Sequence, residues 1–156
     1  MKKTKSLLLL AVMMLSFGIF AGCSNNNSES KGENETRTVS SVKGDVEIPA
    51  DPKRIVDISG SSEELIILGK TPVGTANIDS YDTTKVPSYI EDKLGNAKVV
   101  GHSMMDTMDI EAILSTNPDL IIMSERKEKI YDQLKEIAPV VMIKDYANDW
   151  RQKLTD

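Results

Sequence analysis

Apolar residues between positions 55 and 143 fall into short runs separated by longer segments with helical spacing. Short apolar runs bounded by polar residues are typical of buried strands. The runs are residues 55–58, 73–76, 99–101, 120–123 and 140–143. The predicted helices are residues 62–68, 87–94, 109–115 and 126–137. Because strands that alternate with helices form a mostly parallel sheet flanked by helices, the pattern predicts an α/β domain.

Residues 37–48 follow a different pattern, in which apolar and polar side chains alternate around a turn at residues 43–45. The apolar members are Val39, Val42, Val46 and Ile48. Alternation on both sides of a glycine-containing turn is typical of a β-hairpin. We therefore expect an N-terminal β-hairpin before the sheet.

The predicted helices begin at residues that suit a helix N-terminus. Ser61 or Ser62 is a candidate cap for the helix over 62–68, and Asp109 is a candidate cap for the helix over 109–115. In an open α/β sheet the ligand crevice lies beyond the carboxyl ends of the strands. The segments expected at that edge are residues 59–62, 77–82, 102–108 and 124–127.

The first 22 residues have the organisation of a signal peptide. Lys2, Lys3 and Lys5 precede 14 mostly apolar residues, 7–20, which fall short of the about 20 that a membrane-spanning helix needs. Ala21 and Gly22 lead into Cys23 in a sequence that resembles a bacterial lipobox, although Phe20 stands where leucine is usual. We expect residues 1–22 to be removed and Cys23 to be lipidated.

This N-terminus predicts where the protein is located. Residues 24–35 contain no apolar side chain, so residues 23–36 are expected to form a flexible, lipid-anchored tether. The predicted location is the outer face of the cytoplasmic membrane, with the membrane contacted through the lipid anchor. The remaining residues are expected to form one domain.

Composition excludes several classes of function. Three of the 19 basic residues lie in residues 1–22, so the remainder carries 16 basic against 24 acidic side chains, a net charge of −8 that disfavours nucleic acid as a partner. The single histidine, His102, argues against a metal cage built from imidazoles, and the single cysteine excludes an internal disulfide. No G-x-S-x-G elbow or phosphate-binding glycine loop is present, so the protein is not expected to be an enzyme.

Several short segments, in this order and spacing, resemble the N-terminal lobe of substrate-binding lipoproteins of iron-siderophore ABC importers. They are residues 52–56 (PKRIV), 62–65 (SEEL), 72–74 (PVG), 109–114 (DIEAIL) and 117–122 (NPDLII). The resemblance covers about residues 37–156, with a departure at 109–110, where Pro-Asn is usual. It implies one lobe of a two-lobed, class III periplasmic-binding-protein fold.

In this family two α/β lobes joined by a long helix bind a ferric chelate between them. The resemblance therefore implies a lobe over residues 37–148 and the start of the inter-lobe helix over 149–156. A second lobe is expected to be missing, so the sequence is interpreted as a fragment, a truncated gene product or an engineered single lobe. No cofactor is expected, because a siderophore fills the coordination of its own iron.

The resemblance places ligand contacts at the carboxyl ends of the strands. Arg126 stands where a basic contact is usual, and its forked donors suit anionic oxygens; the alternative is a solvated first-turn residue. Met105 occupies a second contact position, where a catecholate binder is expected to carry a cation, so a hydroxamate or citrate siderophore is favoured. Ser103 and His102 lie in the same segment, and Ser61 is either a ligand contact or only a helix cap.

Two further interpretations concern alternatives and partners. His102, Met104 and Met105 are of the types that ligate haem iron, so a haem- or cobalamin-binding lipoprotein of the same fold stays open, as does a single-lobe structural lipoprotein. By resemblance, Glu111 docks into an arginine pocket of a FecCD-type ABC permease. Its alternative role is to stabilise the start of its helix by about 0.3–1 kcal/mol.

Overall fold

A five-stranded parallel sheet forms the centre of the structure, a computed structural model that describes residues 35–145. The strand order is β5-β4-β3-β6-β7, and β1 and β2 form a separate antiparallel hairpin. The strands are β1 (Thr36–Val39), β2 (Val46–Pro49), β3 (Ile55–Asp57), β4 (Gly74–Thr75), β5 (Lys98–Val99), β6 (Leu120–Ser124) and β7 (Val140–Ile143). All five predicted sheet strands are confirmed, with small shifts at their ends.

Short helices connect the strands at the predicted places. They are α1 (Ser62–Ile67), α2 (Glu91–Leu94), α3 (Ile110–Ser115) and α4 (Tyr131–Lys135), with 3₁₀ turns at Ser88–Ile90 and Glu125–Ile130. The prediction of one continuous helix over residues 126–137 was wrong. Lys127 has non-helical backbone angles, φ −101° and ψ 16°, so this segment begins as a 3₁₀ turn and becomes α-helical only at Tyr131.

The sheet separates two apolar clusters because successive strand residues point to opposite faces. The larger cluster includes Val56 and Ile121, both fully buried, with Ile113 of α3 and Leu134 of α4. The smaller cluster contains Ile48, Ile55 and Leu120 and lies where the hairpin meets the sheet. Full burial of one such side chain contributes about 1.5–3 kcal/mol, so both faces contribute to holding the sheet in place.

The hairpin is confirmed and attaches to the edge of the sheet at its tip. Its register runs from the pair Thr36↔Pro49 to the pair Val39↔Val46, so β1 begins at a residue assigned to the tether by sequence. Val42 was expected to alternate into a strand; it lies instead outside both strands, where its N–H donates to Met142 O at 2.9 Å.

One of the two predicted helix caps is confirmed. Asp109 accepts a hydrogen bond from Ala112 N–H at 2.8 Å through Oδ1, as a capping residue should. The prediction of a serine side-chain cap for α1 was wrong. Ser61 occupies the capping position without a side-chain hydrogen bond to the helix, and Ser62 Oγ turns to Asp57.

Several predictions concern residues outside the described part of the chain. They are the signal peptide over residues 1–22, the lipidation of Cys23, almost all of the tether, and the start of an inter-lobe helix over 149–156. Within residues 35–145, no helix has both the length and the apolar character needed to cross a bilayer.

Candidate functional site

The loops that follow the parallel strands meet at one edge of the sheet, here called the carboxyl edge. Gly60, after β3, has a φ of +87°, and a Cβ there would lie 3.3 Å from Ser103 Cβ and 3.9 Å from Asn77 Oδ1. Glycine therefore allows the loops after β3, β4 and β5 to approach closely. Lys127, after β6, joins them by donating a hydrogen bond from Nζ to Ser103 O at 2.6 Å.

A buried carboxylate organises the loop after β3. Asp57 is fully buried and accepts four hydrogen bonds: from Ser59 N–H at 2.9 Å, Ser59 Oγ at 2.6 Å, Ser61 N–H at 2.9 Å and Ser62 Oγ at 2.6 Å. Burial raises the pKa of Asp57, while the hydrogen bonds from these serines act in the opposite direction. Asp57 thus folds the chain from β3 into α1.

The sequence interpretation missed Asp57. The sequence does contain a signal for this carboxylate-centred turn. Asp57 is an ionisable residue at the end of a three-residue buried strand, and the sequence SGSS follows it after one apolar position.

Hydrogen bonds carry this polar network on to the next strand. Ser62 Oγ lies 2.7 Å from Thr75 Oγ1, and Asn77 N–H donates to Thr75 Oγ1 at 3.0 Å. Ser61 Oγ and Asn77 Oδ1 are buried and have no hydrogen-bond partner in the part of the chain that the structure describes. Ser61, a predicted ligand contact, is thus at the carboxyl edge with its hydroxyl unused.

Lys127 is a second charged residue that the sequence interpretation missed. Its side chain is only 1% exposed, and its hydrogen bond to Ser103 O ties the loop after β5 to the segment after β6. Burial lowers the pKa of Lys127, and the neighbouring positive charge of Arg126 lowers it further. No periodic signal predicted this burial, because the 3₁₀ turn rather than an α-helix sets the direction of the side chain.

Arg126 lies at the carboxyl edge, as predicted for a ligand contact, and its side chain is 44% exposed. Its Nε donates to Asp145 Oδ2, and this hydrogen bond raises the pKa of Arg126. The backbone N–H of Asp145 donates to Glu125 Oε1 at 3.0 Å. The arginine is therefore ion-paired through Nε, while the rest of its side chain stays exposed to solvent.

The loop between β5 and α3 carries three more predicted contacts, His102, Ser103 and Met105. Gly101 and Met108 pair as an isolated bridge that closes the loop at its base. His102 Nδ1 accepts a hydrogen bond from Met104 N–H at 3.0 Å. The other ring nitrogen, Nε2, takes no part in this hydrogen bond. Met105 is 57% exposed. The link from Lys127 to Ser103 brings this loop to the segment that carries Arg126.

Glu111 is exposed in the first turn of α3, directly after the loop that contains His102. It therefore lies near the carboxyl edge but on the helix rather than in the loops. Within residues 35–145, no group of three or more His, Cys, Asp or Glu side chains is arranged to hold a metal ion.

Several curated proteins similar to this chain carry names that refer to siderophores or iron chelates. This chain is 40% identical over 164 residues to a probable siderophore-binding lipoprotein, YfiY, of Bacillus subtilis. The match covers 99% of this chain and 48% of that protein. The chain is 36% identical over 145 residues to the iron(3+)-hydroxamate-binding protein YxeB of the same organism, covering 89% and 41%. The chain spans about half the length of the curated relatives it matches.

Solved structures confirm the α/β fold and its relationship to one lobe. Staphylococcus aureus SirA complexed with staphyloferrin B matches with a TM-score of 0.61 and 35% identity, over 69% of this chain and 36% of that one. The catecholate-siderophore binding protein VctP of Vibrio cholerae matches with a TM-score of 0.57 and 28% identity, over 69% and 37%. The sequence profile described as periplasmic binding protein matches residues 55–154, and the chain belongs to that family.

Proposed function

We propose that this chain binds a ferric siderophore without catalysing a reaction and presents it to an ABC permease for iron uptake. The observation that carries the proposal is the convergence at the carboxyl edge of Arg126 with the loop that contains His102, Ser103 and Met105. That edge is where open α/β sheets bind ligands. The names of the similar proteins support the same class of ligand.

The proposed contacts recognise the chelate by charge and shape. A siderophore saturates the coordination of ferric iron, so the protein contributes hydrogen-bond donors and apolar surface instead of metal ligands. Arg126 offers forked donors for ligand oxygens, and Ser103 is a half-buried polar residue beside it. Ser61 has a hydroxyl without a partner among the described residues, and that hydroxyl is buried in this structure. Met105, rather than a cation, is exposed at the second contact position, which favours a hydroxamate or citrate chelate over a tris-catecholate.

The proposal also includes a membrane anchor and a contact with the permease. Cys23 carries the lipid that holds the protein at the outer face of the cytoplasmic membrane, and the residues between Cys23 and β1 connect the lipid to the domain. Glu111, exposed in the first turn of α3, is the residue that contacts a FecCD-type permease. In this proposal, permease docking and ligand contacts share one end of the sheet, because α3 begins beside the carboxyl edge.

Replacement of Arg126 by alanine is expected to weaken binding of the preferred chelate by about 10- to 100-fold, since a hydrogen bond to a charged group contributes about 1.5–3 kcal/mol. Isothermal titration calorimetry of the full chain in detergent, with a ferric trihydroxamate, ferric citrate, a ferric tris-catecholate and haem, measures the effect. Lys129→Ala is the matched control, because Lys129 is an exposed cation in the same 3₁₀ turn. Equal losses in the two variants, or binding of haem alone, would contradict the proposal.

Glu111→Lys is expected to abolish association with the permease and to leave chelate affinity unchanged. The Glu111 carboxylate is exposed and forms no ion pair or hydrogen bond within the described residues, so the domain should fold without it. The measurement is capture of the full chain by a FecCD-type permease reconstituted in nanodiscs. Glu91→Lys is the control, since Glu91 is an exposed first-turn glutamate of α2. Retained capture of Glu111→Lys would remove Glu111 from the interface.

A further inference from the structure

The pairing of β6 with β7 determines which residues lie beside the proposed ligand arginine. The two strands pair in parallel from Ile121↔Val140 to Ser124↔Ile143, a constant difference of 19 residues. The strand register ends at Ser124, where the chain enters the 3₁₀ turn. The pairing of the two strands nevertheless brings Arg126, two residues after β6, close to Asp145, two residues after β7, and their side chains form an ion pair.

The position of Asp145 is fixed by a second contact. Its backbone N–H donates to Glu125 Oε1 at 3.0 Å, while its Oδ2 accepts from Arg126 Nε. The Asp145 side chain is 28% exposed, less than the 44% of Arg126. The carboxylate therefore covers one donor of the guanidinium, and the rest of the arginine stays accessible.

The other charged groups nearby leave little positive charge for a ligand. Lys127 is 1% exposed, and its ammonium is directed to Ser103 O. Glu125 and Asp106 are exposed in the same region of the chain, and the side chain of Met104 is 68% exposed. In the described part of the carboxyl edge, the carboxylates of Glu125, Asp106 and Asp145 stand against two exposed cations, Arg126 and Lys144. Asp145 already pairs with Arg126, so little net positive charge is left for a ligand.

We infer that Asp145 is a specificity-determining residue, which occupies Arg126 and so selects cationic or uncharged ferric hydroxamates over anionic ferric carboxylates. This inference rests on the proposed function and narrows its ligand class. An anionic chelate must displace Asp145 from Arg126 or bind beside it against charge repulsion. A cationic chelate is attracted by the carboxylates of Asp145, Glu125 and Asp106, which offsets repulsion from Arg126 and Lys144. Selection against one ligand by an unfavourable charge is a common source of specificity.

The test compares two chelates of opposite charge, ferrioxamine B, a cationic ferric trihydroxamate, and anionic ferric citrate. Calorimetry of the full chain gives the ratio of their dissociation constants. Asp145→Asn is expected to shift this ratio about five- to tenfold towards citrate. Asp145→Glu, which retains the charge, is expected to keep the ratio close to that of the unchanged protein. Asp51→Asn is the matched control, since Asp51 pairs with Lys53 and Lys70 ahead of β3, at the opposite end of the sheet.

A second measurement tests the ion pair without a ligand. The Arg126 Nε–H resonance in an NMR spectrum is expected to move in Asp145→Asn and to stay in place in Asp51→Asn. An unmoved resonance overturns the inference. An unchanged affinity ratio in a protein that binds both chelates also overturns the inference, and the proposed function survives that result. Failure of the unchanged protein to bind any ferric chelate overturns the proposed function and this inference together.

Discussion

Asp57→Asn is expected to lower the free energy of unfolding by about 2–4 kcal/mol, measured by urea denaturation followed by circular dichroism. Asparagine fills the same space but replaces one acceptor oxygen with an NH₂ group. That group would face the N–H of Ser61, which now donates to Asp57 Oδ2, so a buried donor would lose its acceptor. The loss of charge also weakens the bonds from Ser59 and Ser62.

Asp82→Asn provides a closely matched control for this experiment. Asp82 accepts hydrogen bonds from the N–H and Oγ1 of Thr84, the arrangement that Asp57 makes with Ser59, but its side chain is 43% exposed. Water can replace the lost contacts there, so the expected change is within about 0.5 kcal/mol. A similar loss in both variants would mean that the local turn, and not burial of Asp57, determines the effect.

Lys127→Ala is expected to cost about 2–4 kcal/mol, and Lys127→Met about half as much. Alanine removes a buried alkyl chain and leaves Ser103 O without its donor. Methionine keeps most of the packing and removes a desolvated charge, which offsets part of the lost hydrogen bond. Urea denaturation measures both, with the exposed Lys129→Ala as control. Equal costs for alanine and methionine would show that packing of the lysine stem contributes nothing.

Lys127 is also expected to make the free energy of unfolding depend on pH. Burial lowers the pKa of Lys127 below its usual value of 10.5, so the unfolded chain binds the proton more tightly than the folded protein. Stability contributed at this site therefore rises as the pH increases from the folded pKa towards 10.5. Lys127→Met lacks this pH-dependent contribution. The free energy of unfolding of the unchanged protein is therefore expected to increase relative to that of Lys127→Met at alkaline pH.

The sequence predicted the sheet well because its strands are short apolar runs that belong to the buried core. The same strand ends determine which loops converge at the carboxyl edge, and the location of the ligand site there stays a prediction. Arg126 and Glu111 came from family resemblance, and the structure shows only where they lie. Asp145 was not predicted as the partner of Arg126, because the register between β6 and β7 is a tertiary property that no local pattern records.

The two buried charges show a different limit. Asp57 has its partners within five residues, so a turn-forming sequence after a buried strand contained a usable signal. Lys127 finds its acceptor 24 residues earlier, at Ser103 O. Helical periodicity placed Lys127 in an ordinary α-helix, and only the 3₁₀ geometry around it explains why a lysine side chain is buried there.

The four α-helices between residues 35 and 145 are only four to six residues long. Helices of this length do not persist in water, because nucleating a helical turn is unfavourable and isolated helices need about 12–15 residues. None of the helices in the described range can therefore serve as an early, independent folding unit. The chain must bring distant strands such as β3 and β6 together first, which favours slow folding and a single cooperative loss of helix and sheet on denaturation.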